Sequence, residues 1–305
     1  MKSKFRSKHH LKTDSLLIET KGLLRRFSLK ARKGLGQHFL VDEEVLELIT
    51  GASELTPADI VIEVGPGLGI LTRELARKAG WVISVELDEK LASILGKTLS
   101  SLNNVTVRSG DILKIAPEVL IREEKTKFPP QVATPFSYKV VADLPYYITS
   151  PVLRHFLEAQ VKPQLMVLMV QKEVAEVIAA GPGQMSFLSV SVQFYGKPSL
   201  ISFVSASSFY PAPRVKSAIL RIDLYPQPAV EVGDVRGFFE LVRAGFCAPR
   251  KQIINSLGQG LKLPKVRVLS LLEGAGIVPQ RRAESLSLNE WQRLWQVFTQ
   301  EVERC

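Results

Sequence analysis

The chain has 305 residues, 46% of them hydrophobic, and a formal charge of +10 from 40 Lys and Arg against 30 Asp and Glu. This composition excludes disordered and fibrous classes and leaves room for about two domains. The charge is uneven: residues 1–33 hold eleven basic residues against Asp14 and Glu19, 34–225 hold 18 against 20, and 226–305 hold 11 against 8. Cys247 and Cys305 lie far apart with no CxxC spacing, so no disulfide framework or metal site is expected, and Cys247 reads as buried. The longest apolar stretch, Leu165–Val170, is too short for a bilayer. The chain therefore reads as cytoplasmic and free of membrane. Its basic front end shares the composition of an organelle transit peptide but lacks the apolar core of a secretory signal.

Residues 1–12 read as a flexible basic tail. From Asp14, a candidate N-cap, Leu16, Leu17, Leu23, Leu24 and Phe27 recur at helical spacing among Lys21, Arg25 and Arg26, which predicts a basic amphipathic helix. Short β-rich runs then alternate with helical patterns: strands at Ile60–Gly65, Trp81–Leu87, Val105–Val107, Lys139–Ala142 and Leu165–Val170, and helices at Ile70–Ala79, Glu89–Leu99, Pro151–Glu158 and Lys172–Ala180. That alternation predicts a parallel sheet of βα units. Extended runs follow at Leu200–Ser205 and Ser217–Leu224. The charged, then proline-bearing stretch Ile121–Ser137 reads as a loop. The Tyr225–Pro228 segment marks a boundary, and beyond it only helical patterns occur, at Val235–Phe246, Arg250–Leu257, Lys265–Leu272 and Glu290–Val302.

The sharpest local signal is EVGPGLG at residues 63–69, after a strand and before a helix. Gly65 and Gly67 let the backbone turn and approach a ligand, although a tight turn or a dinucleotide site would use the same residues. Glu86 ends the second strand, where a carboxylate can accept from both ribose hydroxyls. Asp111 follows the third, where it can accept from an adenine amine or simply occupy a turn or N-cap. Three acids at the ends of successive strands favour an adenosine-containing cofactor.

The fourth strand ends in DLPYY at residues 143–147. This resembles the [Asn/Asp]-x-Pro-Tyr motif of methyltransferases acting on planar exocyclic amines. An adenine N6 lone pair is delocalised into the ring. A side-chain oxygen of Asp143 and the carbonyl of Leu144 could accept its two N–H bonds and favour the pyramidal amine. Pro145 fixes the backbone, and Tyr146 offers a face to the base. A plain strand-end turn is the alternative reading.

With KGLGQHFL at 33–40 and FYPAPRVKSA at 209–218, the sequence resembles the KsgA/Dim-type ribosomal RNA adenine N6-dimethyltransferases from about residue 20 to the C-terminal helices. The resemblance implies an α/β fold. This is a Rossmann-like class I SAM-dependent methyltransferase domain with a mostly parallel seven-stranded sheet, followed by a small all-α domain. The boundaries it implies are 1–33, 34–226 and 227–305. It implies S-adenosyl-L-methionine as cofactor, with no metal, contacted by Gln37, His38, Leu40, Gly65, Gly67, Glu86, Asp111, Ile112 and Asp143. Asp143, Leu144 and Pro145 would then meet the target amine, and Tyr146 and Phe209 would stack an extruded adenine. The implied substrate is a pair of adjacent adenosines near the 3′ end of small-subunit rRNA in an assembly intermediate, taken by a monomer. The family usually has Asn where this chain has Asp143; an ionised Asp remains an acceptor. Two other readings share the fold: an Erm-type methyltransferase of large-subunit rRNA, and a non-catalytic RNA-binding assembly factor. In the C-terminal region, Arg243, Arg250, Lys251, Arg281 and Arg282 are candidates for RNA phosphate contacts.

Overall fold

The computed structural model describes the backbone of residues 3–32, 34, 36–132 and 137–303, and the side chains of those between Ser15 and Glu301. Lys33 and Leu35 of the KGLGQHFL segment, Cys305 and residues 133–136 of the expected 121–137 loop lie outside the described residues. The chain divides into two units. The first comprises 1–175 with 199–224, and the second 176–198 with 225–305. The division is thus not the contiguous one read from the sequence, since 176–198 belong with the C-terminal helices.

The first unit opens with α1 (Ser3–Arg26), so the helix starts well before Asp14, and residues 3–12, expected as a tail, are helical. A two-residue strand β1 (Phe39–Leu40) leads to α2 (Glu43–Ala52), capped by Asp42, whose carboxylate accepts from the N–H groups of Glu44 and Val45. The alternating part follows as β2 (Ile60–Val64), α3 (Ile70–Ala76), β3 (Trp81–Glu86), α4 (Glu89–Thr98), β4 (Val105–Ser109), α5 (Pro117–Glu124), β5 (Tyr138–Asp143), α6 (Thr149–Leu157) and β6 (Leu165–Gln171). Helix α7 (Lys172–Ala179) crosses into the second unit, which continues with α8 (Phe187–Tyr195); β7 (Gly196–Val204), β8 (Phe209–Tyr210) and β9 (Ser217–Leu224) then complete the strands. The seven-stranded sheet has the order β4-β3-β2-β5-β6-β9-β7, with β2 to β6 parallel and β9 antiparallel to β6.

The inner strands β2, β3, β5 and β6 are nearly continuous apolar runs because helices cover both faces of a parallel sheet. β2 sits between β3 and β5, so the strand order reverses there, which is where open α/β sheets leave a crevice for ligands. Leu16 of α1 packs on the main core, and Leu23 and Leu24 pack on a second cluster of Phe39, Leu68, Leu91, Leu95 and Leu99. Part of the expected 121–137 loop is instead the last turn of α5. Pro117 starts that helix, Leu120 and Ile121 are buried, and the buried Glu124 carboxylate accepts from Thr106 Oγ1 at 2.7 Å and Lys127 Nζ at 2.8 Å.

The second unit adds α9 (Val235–Gly245), α10 (Ile253–Leu261), α11 (Lys265–Gly274) and α12 (Leu288–Glu303) to α8. Phe194 stacks on Phe238, whose ring meets the edge of Trp295, and Trp291 is fully buried. Arg281 does not present a free guanidinium: it binds both oxygens of Glu290 and the Ser285 carbonyl, and holds the Glu290 carboxyl down at about 2. Arg243 lies over the Phe187 ring at 4.8 Å, and Arg282 pairs with Glu284. Cys247 is exposed rather than buried, its thiol reaching the Ser256 carbonyl at 3.2 Å. No helix is long and apolar enough to cross a membrane, as searched among the described residues.

Gly69 caps α3 at φ +79°, and a Cβ there would lie 2.9 Å from Leu95 Cδ2. Gly69→Ala combines left-handed strain with overpacking and is expected to cost about 2 kcal/mol of stability. A lowered urea midpoint with an unchanged slope is the readout.

Candidate active site

The ends of β2, β3, β5 and the turn after β4 open on one cleft of about 1170 Å³. All thirteen residues singled out from the sequence line it: Gln37, His38, Leu40, Gly65, Gly67, Glu86, Asp111, Ile112, Asp143, Leu144, Pro145, Tyr146 and Phe209.

The glycine turn approaches the cleft because no side chain stands in its way. Gly67 has φ +59°, and a Cβ on it would press on the Phe39 ring at 3.3 Å. Glu86 is buried and accepts from Asp88 N at 2.9 Å and Gly67 N at 3.4 Å; burial raises its pKa despite these donors. Asp111 meets both readings made of it: one oxygen caps the turn through Leu113 N at 3.0 Å, and the residue lines the cleft. Leu144 is buried, its N–H bonded to the Met169 carbonyl at 3.1 Å, and Ile112 is buried against the floor.

The N-terminal segment forms one wall. Gln37 Oε1 accepts from the Arg32 N–H at 2.9 Å, and Arg32 pairs with Asp88 at 3.0 Å, two residues past Glu86. His38 Nδ1 lies 2.7 Å from the Pro211 carbonyl, so that nitrogen carries the proton, and the ring stacks near Tyr146 at 6.4 Å. β1 pairs antiparallel with β8, Phe39 opposite Tyr210 and Leu40 opposite Phe209. Phe209 is both a core residue and a wall of the cleft, rather than a loop side chain.

Two functional residues stood inside quoted motifs without being singled out. Glu63 begins the glycine motif. Its Oε2 accepts from Thr72 Oγ1 at 2.7 Å and Ser84 Oγ at 2.6 Å, while its buried Oε1 has no partner. Burial pushes its carboxyl up to about 7 against those two donors. Ser217 lies in the FYPAPRVKSA stretch; fully buried at the start of β9, it shares a 2.8 Å hydrogen bond with the Tyr146 hydroxyl and so fixes that ring against the cleft. The signals were present, an acid opening a glycine turn and a serine in a proline-rich motif, but only the fold shows what they touch.

Asp143 follows from the same sheet. Glu63 pairs with Val141 on β5, so Asp143, two residues on, points to the same face as Glu63. Its carboxylate accepts no hydrogen bond among the described residues, and burial together with the Glu63 charge pushes it up to about 8.

The family model described as Ribosomal RNA adenine dimethylase matches residues 28–300. The chain belongs to that family. A Dehalococcoides mccartyi (strain CBDB1) protein named Ribosomal RNA small subunit methyltransferase A is 50% identical over 280 residues, 92% of each chain. A Listeria monocytogenes protein of the same name is 39% identical over 280 residues, 90% of this chain and 93% of its own. Among solved structures, the 23S rRNA methyltransferase ErmE shares 30% identity at TM-score 0.66, over 86% of this chain and 99% of its own. A dimethyladenosine transferase from Plasmodium falciparum shares 26% at TM-score 0.70, over 87% and 98%.

The cofactor of this family is S-adenosylmethionine, and the cleft fits it. Gly65 and Gly67 line it without a side chain, and the Glu63 Oε1, which has no partner among the described residues, and the Asp143 carboxylate suit a cationic group.

Because the folded-state value of Asp143 is raised, the neutral carboxyl is the favoured form. The stability this confers is complete below the unfolded value of about 4 and lost as pH rises through the folded one. Asp143→Asn removes the ionisation. Without cofactor, its melting temperature should rise above that of the wild type by a margin that grows from pH 5 to pH 8 and then levels off; a margin independent of pH would contradict the placement of this carboxyl.

Proposed function

We infer that this protein transfers methyl groups from S-adenosylmethionine to the N6 atoms of adenosines in small-subunit rRNA, two to each of two adjacent adenosines near the 3′ end. The reading is carried by the donor-free Asp143 carboxylate standing beside Tyr146 in a cleft that also holds Glu86 and Asp111. The identity to the small subunit methyltransferases, at 39–50% over at least 90% of this chain, supports it over the Erm-type alternative.

In this reading Glu86 binds the ribose hydroxyls, and Asp111 Oδ2, 3.9 Å from Lys114 Nζ, with the Ile112 backbone holds the adenine of the cofactor. Gly65, Gly67, Gln37, His38 and Leu40 line its methionine end. The cofactor supplies an activated sulfonium methyl group. Tyr146, oriented by Ser217, and Phe209 hold the target base. An unpaired adenine is required because pairing engages N6. Asp143 Oδ and the Leu144 carbonyl accept the two N6–H bonds, which draws the lone pair out of conjugation and aims it at the methyl. The ionised form of Asp143 can accept through either oxygen, whereas the acid form turns one of them into an O–H donor and keeps only the other as acceptor. The cation at the sulfonium and the amine that becomes positive both favour that ionised form. After transfer the surplus N6 proton leaves through the Asp143 oxygen to solvent.

The deciding experiment supplies labelled S-adenosylmethionine with undermethylated small subunits, large subunits and naked rRNA, then maps the labelled nucleotides. Label on two adjacent small-subunit adenosines is expected. Label confined to large-subunit adenine would favour the Erm-type reading, and cofactor binding without any label would favour an assembly factor. Asp143→Ala should lower turnover at least 100-fold with RNA affinity largely kept.

The basic surplus of residues 1–33 leads directly into Gln37 and His38, and Arg25, Lys30 and Arg32 are exposed on α1 and just after it. We read this segment as holding RNA phosphates beside the cleft. Deleting residues 1–12 should weaken RNA binding and flatten its salt dependence, seen as a shallower slope of log affinity against log salt.

A further inference from the structure

The same sheet edge continues past β5 to β6, β9 and β7, and it carries an aromatic side chain that the reaction described so far does not use. Phe203, near the end of the edge strand β7, is 49% exposed. Lys172 Nζ lies 5.2 Å from its ring centroid. The Lys172 N–H donates to the Lys216 carbonyl at 3.0 Å, and Lys216 and Arg214 are exposed on the segment that enters β9. Ser217, the next residue, is the one whose hydroxyl meets Tyr146. The chain thus runs from the serine that holds Tyr146 back through exposed Lys216 and Arg214, beside an exposed phenylalanine with Lys172 over its ring, and carries no acidic side chain at 199–216.

An exposed aromatic face with lysines beside it is the combination that holds single-stranded nucleic acid, the ring stacking a base and the ammonium groups meeting phosphates. β7 lies three strand spacings from β5, about 14 Å at roughly 4.8 Å per strand. That is too far to touch the base held at Asp143, and within reach of the same RNA strand. We propose that Phe203, with Lys172 and Lys216, forms a second stacking site that takes a nucleotide flanking the adenine in the cleft. The proposal rests on the RNA methyltransferase reading and adds to it: with a flanking base stacked on Phe203, the strand stays anchored while one adenosine leaves the cleft and its neighbour enters.

The test uses the full chain with cofactor. Binding of a short single-stranded oligoribonucleotide containing adjacent adenosines is measured by fluorescence anisotropy, together with kcat and KM on undermethylated small subunits. Phe203→Ala should weaken oligonucleotide binding and raise KM about tenfold, within the range measured for loss of one base–aromatic stack. kcat and S-adenosylmethionine affinity should change less than twofold. Phe203→Trp should restore binding, and Lys172→Ala should reduce its salt dependence. Unchanged oligonucleotide binding in Phe203→Ala would overturn the proposal, as would a loss that Phe203→Trp does not restore. A defect on subunits with normal oligonucleotide binding would also overturn it, by assigning the patch to a protein contact. The oligonucleotide arm does not depend on methyl transfer. Failure of the functional reading would instead appear as absence of label in the wild type.

Discussion

The active site depends on one register. β2 lies between β3 and β5 so that Glu63 is level with Ser84 on one side and Val141 on the other. Shifting either neighbour by one residue would turn its inward side chains to the opposite face. Ser84 would then lose Glu63, and Asp143 would leave the face it shares with that acid. The glycine turn, Glu86 and Asp143 are far apart in the sequence; parallel pairing brings them to a common edge. The apolar runs that make β2, β3, β5 and β6 strands are therefore also what places the polar groups.

A consequence is that the edge collects carboxyl groups in a place with little water. The Glu63 charge opposes ionisation of Asp143, the Glu86 charge opposes that of Glu63, and Glu63 has only two hydroxyl donors to offset its burial. The stretch 34–225 is close to electroneutral, with Glu63, Glu86, Asp111 and Asp143 lining the cleft, while the basic surplus lies in residues 1–33. The chain thus keeps its acidic cleft and its basic surplus on different segments.

Most of the sheet was readable because its strands are bounded by glycines, acids and prolines and alternate with helical patterns. Three helices were not. α2 had its signal, Asp42 before Val45, Leu46 and Ile49, yet sits behind a motif that drew attention to its glycines. α5 hides Leu120 and Ile121 within a charged run and is held by Glu124, whose partners Thr106 and Lys127 cannot be known before the fold. α8 alternates Ser189, Ser191 and Gln193 with apolar residues, and its membership in the second unit is set by packing of Phe194 on Phe238. Residues of the site were legible where chemistry demands a residue type, as at Glu86, Asp111 and Asp143. Ser217 and Phe203 were not, since a serine and a phenylalanine in strands acquire meaning only from Tyr146 and Lys172 across the sheet.

The β1–β8 ribbon also sets an order of events during synthesis. Its two halves, tied by His38 and the Pro211 carbonyl, are 173 residues apart in the chain. Phe39 and Leu40 leave the ribosome early and wait for Phe209 and Tyr210 before they have a strand to pair with. Until that late segment arrives, the cleft lacks the wall that closes it, however completely β2 to β6 have paired. A chain that ends before residue 209 therefore carries the glycine turn with Glu86, Asp111 and Asp143 but not the Phe209 side of the cleft. The ribbon joins the front of the catalytic unit to a segment made near its end.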